Sequence, residues 1–207
     1  MEVFMTTSRP GPVLALVLLL ALPSACAVAQ QSAQPSALPP ELRALKQSLE
    51  KYQDPYVAVR DGYFSTVGCV EYPKPGGHGQ IQYPAGAMGV HFLNPSLVGP
   101  TVDPKRPSLL LYEPTAEGKL KLVGAEWFVP LATGIKERPQ LFGRPFDGPM
   151  EGHEPLLPES LHHYDLHVWL WKDNPTGLFS PTNPNVKCVG YPFRLIEDAP
   201  KIVGHPH

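Results

Sequence analysis

The sequence predicts an α+β chain that is mainly β: a small antiparallel barrel or sandwich, of which the cupin-like barrel is one form, with helices at its N-terminal end. Two observations carry this. After Gly62 the apolar runs become short and rich in β-branched and aromatic residues, and Pro and Gly, 27 and 18 in the chain, recur between them. Before Gly62 the pattern is helical, with Leu42, Leu45 and Leu49 forming one stripe.

The elements follow in chain order. Arg9, the apolar run Val13 to Leu22, and Ala27-Val28-Ala29 read as a signal peptide over residues 1–29, cleaved before Gln30. Cys26 offers an alternative as a lipid-anchored cysteine, although Pro23 sits where a lipoprotein signal favours leucine. Residues 30–39 are small, polar and Pro-containing, a disordered leader. Residues 40–207 then form a single globular domain, long enough to bury a core. The first helix starts at Pro40. Asp54-Pro55 supplies an N-cap and first residue for a second, with Val57, Ala58 and Asp61 in it and Gly62 placed to end it. Strands are predicted over Met88–Leu93, Leu109–Glu113, Leu120–Val129 and Tyr164–Trp171, with Tyr191–Ile196 a fifth. Glu117-Gly118 reads as a hairpin turn, and Gly76-Gly77-His78-Gly79 as a mobile loop.

The predicted exported chain keeps two cysteines, Cys69 and Cys188, which pair in an oxidising compartment; two buried thiols are the alternative. No apolar run reaches the roughly 20 residues a membrane span needs. The net charge of −2 and the scattered Lys and Arg give no footprint for nucleic acid.

Alternation along the strands selects the candidate site. Glu126 shares a face with Leu120, Leu122, Gly124 and Phe128, and a carboxylate there needs a charged partner or a cation. His91 lies opposite Met88, Val90 and Phe92, with Gly89 and Leu93. His163, Asp165, His167, Trp169 and Trp171 share one side of the last strong strand. Four residues of straight strand span about 13 Å, too far for His163 and His167 to hold one ion. The expected ligands are therefore His91, Glu126 and His167, with His153 or His163 as a fourth from the preceding loop. Imidazoles with one carboxylate suit Cu, Fe, Mn or Zn alike. The expected function is metal binding by an exported domain, periplasmic or secreted, and metal-dependent oxidation of an unassigned substrate. The alternatives are a structural envelope protein or a binding module that stacks sugars or aromatic ligands on Trp127, Trp169 and Trp171, residues that a packed core would also use. No nucleophile elbow, H-E-x-x-H, Walker loop or dinucleotide fingerprint is present.

The segment Tyr164-Asp165-Leu166-His167-Val168-Trp169-Leu170-Trp171-Lys172-Asp173-Asn174-Pro175, followed by Gly177, Phe179, Asn183-Pro184 and Cys188, resembles an uncharacterised family of exported bacterial proteins. Gly86 to Phe92 and Leu111 to Pro114 resemble that family's other stretches. The resemblance implies export and a paired Cys188, and implies no activity.

Overall fold

A computed structural model describes residues 1–2, 38–78 and 81–204. The predicted signal peptide, Cys26 and most of the leader lie outside the described residues, as do His205 and His207. Residues Leu38–His207 make one compact unit.

The unit opens with α1 (Pro40–Leu49), a 3-10 turn (Glu50–Gln53) and α2 (Pro55–Arg60). Proline begins each helix, where the missing N–H costs nothing. The Asp54 side chain accepts from the Tyr56 N–H at 3.0 Å, and Gly62 leaves α2 at φ +95°. Leu42, Leu45 and Leu49 are all buried, each contributing roughly 2 kcal/mol by leaving water. Tyr112 Oη donates to the Tyr52 carbonyl at 2.7 Å and ties this helical region to the sheet.

The strands are β1 (Phe64–Tyr72), β2 (Gly76–His78), β3 (Ile81–Tyr83), β4 (Gly86–Leu93), β5 (Leu109–Pro114), β6 (Leu120–Pro130), β7 (Gln140–Leu141), β8 (Arg144–Pro145), β9 (Asp147–Met150), β10 (His163–Trp169) and β11 (Arg194–Ile196). Seven of them form one sheet, ordered β11-β1-β4-β5-β6-β10-β9, which curls into a half-barrel. Every pair is antiparallel except β1–β11. The fold is thus mainly β with N-terminal helices, as the sequence predicts. The chain after β11 runs to the opposite edge: Ile202 bridges Met150, Glu151 N–H donates to the Lys201 carbonyl at 3.0 Å, and Val203 N–H donates to Pro149 at 2.9 Å. The C-terminal segment thus supplies one edge strand, β11, and covers the opposite edge at β9.

One face of the sheet, carrying Val90, Leu110, Ala125, Trp127 and Val168, packs in one cluster with the helix leucines. The opposite face carries the polar residues discussed below. Cys69 in β1 is bonded to Cys188, with Cα atoms 5.7 Å apart and both sulfurs in the core. The bond joins β1 to the loop between β10 and β11.

The structure departs from the sequence reading in several places, among them the fifth strand, which spans only Arg194–Ile196 of the predicted Tyr191–Ile196. Gly76–His78 is no free loop: it pairs with β3, and the bare glycine at 76 admits Ala199, whose Cβ would lie 2.8 Å from an added Cβ. β1 was not anticipated: its run is broken by Gly68 and by Val67 at φ +70°, at a register shift that hides the alternation. The last strong strand runs over His163–Trp169, starting one residue earlier and ending two residues earlier than predicted.

Candidate metal centre

Four neighbouring strands build the site. β4, β5, β6 and β10 lie side by side, and Glu126 on β6 is directly opposite His167 on β10. Leu109 on β5 pairs with Glu126 and with Leu93 of β4, which places His91 two strands from Glu126 on the same face. The three side chains converge. His91 Nε2 lies 3.4 Å and His167 Nε2 3.5 Å from Glu126 Oε2, and all three donor atoms fall within 4.8 Å of one another. All three residues are buried.

These separations are informative. They exceed the 2.7–3.2 Å of a direct N–H···O bond. They match the edge of a tetrahedron around an ion at about 2.1 Å from each donor, which is about 3.4 Å. Among the described residues, the buried side-chain polar atoms without a hydrogen-bond partner are His91 Nδ1, Glu126 Oε2, Asp165 Oδ1, and both ring nitrogens of His167. All belong to this one pocket.

Backbone irregularities make room for the cluster. Gly89 takes φ +90° with no space for a Cβ, which would meet the Tyr112 carbonyl oxygen at 2.4 Å. At this bulge the alternation slips, so Met88 lines the pocket together with His91, whereas simple alternation sets them on opposite faces. Gly124, two residues before Glu126, would place a Cβ 2.7 Å from the Val168 carbonyl oxygen and 3.3 Å from the Trp169 ring.

His153 and His163 do not join His91, Glu126 and His167. They form a second group with Asp165, again with donor atoms within 4.8 Å of one another. His163 and His167 thus fall in different groups, four residues apart along the strand. His163 Nδ1 donates to the Leu161 carbonyl at 3.1 Å, and His153 Nδ1 is paired with Tyr72 Oη at 3.0 Å. Asp165 stands between the groups, with Oδ2 at 3.7 Å from His163 Nε2 and Oδ1 at 3.7 Å from His167 Nδ1. The sequence places Asp165 on the ligand side of its strand without assigning it a role. The alternating His163-x-Asp165-x-His167 pattern was the signal available.

Electrostatics follow burial. Burial, then the neighbouring His163, pushes the His153 imidazole down to about 3, so the ring is neutral at ordinary pH. Burial acts to raise the Asp165 carboxyl, but the adjacent His167 and His163 outweigh it and hold Asp165 below the usual carboxylate range. Asp147, paired with Asp165 across β9 and β10, is pushed up to about 6 by burial and by that carboxylate. Apart from Thr66 the remaining wall is apolar, with Val70, Met88, Leu93, Phe128, Leu156 and Leu157 among the residues around a partly open cavity of about 70 Å³. At roughly 30 Å³ per water, that volume holds about two waters or a small ligand fragment.

The tryptophans belong to the packing. Trp127 and Trp169 are 1% and 3% exposed and donate to the Asp103 and Ser180 carbonyls. Trp171 is half-buried and donates to Glu50 at 2.9 Å. Trp127 and Trp169 thus offer no open ring face for a sugar. Among the described residues, no helix is long and apolar enough to cross a membrane.

Comparison with known protein families, with characterised proteins and with solved structures finds no match to this chain, and the resemblance noted in its 164–188 segment gains no support from them.

Proposed function

We propose that this chain is an exported metal-binding domain in which His91, Glu126 and His167 hold a transition-metal ion, and that it acts as a metal-dependent oxidoreductase on a small substrate in the adjoining cavity. The observation behind this reading is the convergence of three buried donors from three strands, of which Glu126 Oε2 and His167 Nε2 have no hydrogen-bond partner. Each such atom left unsatisfied costs about 1–3 kcal/mol. A cation accepts lone pairs from both imidazoles and the carboxylate at once, and the donor separations suit it.

Two imidazoles and one carboxylate leave coordination positions for water, dioxygen or substrate, and serve Fe, Mn, Cu or Zn. The bound ion would supply Lewis-acid or redox chemistry. The chain's own contribution is to fix the donors on adjacent strands, to wall the cavity with apolar side chains, and to limit the substrate to a small group. Export is supported by the Cys69–Cys188 bond, which persists in an oxidising compartment.

Elemental analysis of purified protein, reloaded and dialysed, tests the proposal. At least one equivalent of transition metal is expected at this site, lost in His167→Ala and Glu126→Gln. Less than a tenth of an equivalent in the reloaded wild type overturns it.

A further inference from the structure

We infer that the same pocket contains a second metal site, formed by His153, His163 and Asp165, and that Asp165 links it to the first. The site itself rests on its own geometry; the link rests on the reading of His91, Glu126 and His167 as ligands.

His163 sets the geometry of the second group. A backbone carbonyl can only accept, so the 3.1 Å contact with Leu161 puts the proton on Nδ1. Nε2 is then the nitrogen left to face Asp165 Oδ2, at 3.7 Å. That gap exceeds the 2.7–3.2 Å of a direct hydrogen bond, and between residues 1% and 2% exposed it leaves space for a cation that both can bind. His153 completes the set. Its Nδ1 is engaged by Tyr72 Oη at 3.0 Å, and its donor atom lies within 4.8 Å of those of His163 and Asp165. A hydrogen bond from the far nitrogen, as His163 Nδ1 makes to Leu161, is how proteins fix metal-binding imidazoles. Two imidazoles and one carboxylate again suit a divalent transition ion.

Asp165 supplies the link because its two oxygens face different groups. Oδ2 belongs to the second site. Oδ1, buried and without a hydrogen-bond partner, is 3.7 Å from His167 Nδ1. With Nε2 of His167 turned to the first ion, Nδ1 carries the proton toward Asp165, and closing this 3.7 Å gap to a hydrogen bond would complete the carboxylate–histidine–metal arrangement that orients a ligand ring. Asp165 is thus a ligand of one ion and a positioning residue for the other.

The test is titration of the intact exported chain with Co(II) and with Zn(II), reading the Co(II) visible spectrum and bound metal after dialysis, with melting curves to verify folding. The wild type is expected to take two equivalents. His163→Ala and His153→Ala are expected to keep one, and His91→Ala to keep one with a different Co(II) spectrum. Asp165→Asn should lose the second ion and weaken the first by about 10- to 100-fold. His163→Gln, which preserves size, serves if the alanine variant does not fold. If the wild type saturates at one equivalent and His163→Ala and His163→Gln retain it, the second site is refuted and His163 is an imidazolium paired with Asp165, while the proposed function stands. If one ion binds and is lost in the His163 variants but kept in His91→Ala, the second site stands and the proposed function falls. No binding in folded wild type refutes both.

Discussion

Replacing Cys69 and Cys188 together by alanine should lower stability by about 5 kcal/mol. The bond closes a loop spanning 119 residues of sequence, and the chain-entropy relation assigns that length about 16 cal/mol/K, or about 5 kcal/mol at 25 °C. Removing two sulfurs from a core in which both residues are fully buried adds a smaller packing loss. A domain of this size loses roughly 2–4 °C of Tm per kcal/mol, so the double variant should melt at least 10 °C lower. Thermal and urea melts of the two proteins, followed by far-UV circular dichroism, measure both quantities. If the restraint acts through the unfolded chain, the denatured state should also expand, and the urea m-value should rise. A fall in Tm of less than 3 °C would show that the crosslink restrains little that the sheet does not already hold.

Three further predictions concern other parts of the structure. Iodide should quench little of the emission from Trp127 and Trp169, leaving Trp171 as the accessible indole; full quenching of all three would restore the stacking surface that their burial removes. Gly124→Ala should cost about 1–3 kcal/mol and weaken metal binding, because its Cβ would press on the Val168 carbonyl oxygen, next to the Glu126–His167 pair; an unchanged Tm contradicts this. Burial, then Asp198 and Glu154, push the half-buried Glu197 carboxyl up to about 7 from an ordinary 4.5. The folded state therefore holds that proton more tightly than the unfolded state, and the stabilisation is complete below pH 4.5 and lost as pH rises through 7. Glu197→Gln should match the wild type at pH 4 and melt higher at pH 8, by no more than about 2–4 °C because solvent screens the charge. Equal melting at both values removes the prediction.

The parts of the fold that are legible in the sequence are those governed by local rules. Asp54-Pro55, Gly62 and the leucine stripe define the helices through capping and periodicity. Strict alternation in β6 and β10 sets Glu126 and His167 on the same side as the site. Where the backbone departs from regularity, alternation fails. The bulge at Gly89 moves Met88 to the face of His91, and Val67 with φ +70° obscures β1. The division of five ligand candidates into two groups depends on strand order and on the 151–162 loop that carries His153 to Tyr72, and neither is a local property. Asp165 had the right spacing, but its role exists only because groups from other elements meet on its two oxygens.

Anomalous diffraction from crystals of the metal-loaded protein, recorded on either side of the metal's absorption edge, tests the central claim most directly. The account predicts an anomalous peak among His91 Nε2, Glu126 Oε2 and His167 Nε2, at about 2.0–2.2 Å from each. Loaded crystals with no peak there, and with Glu126 hydrogen-bonded to the two imidazoles instead, would contradict it.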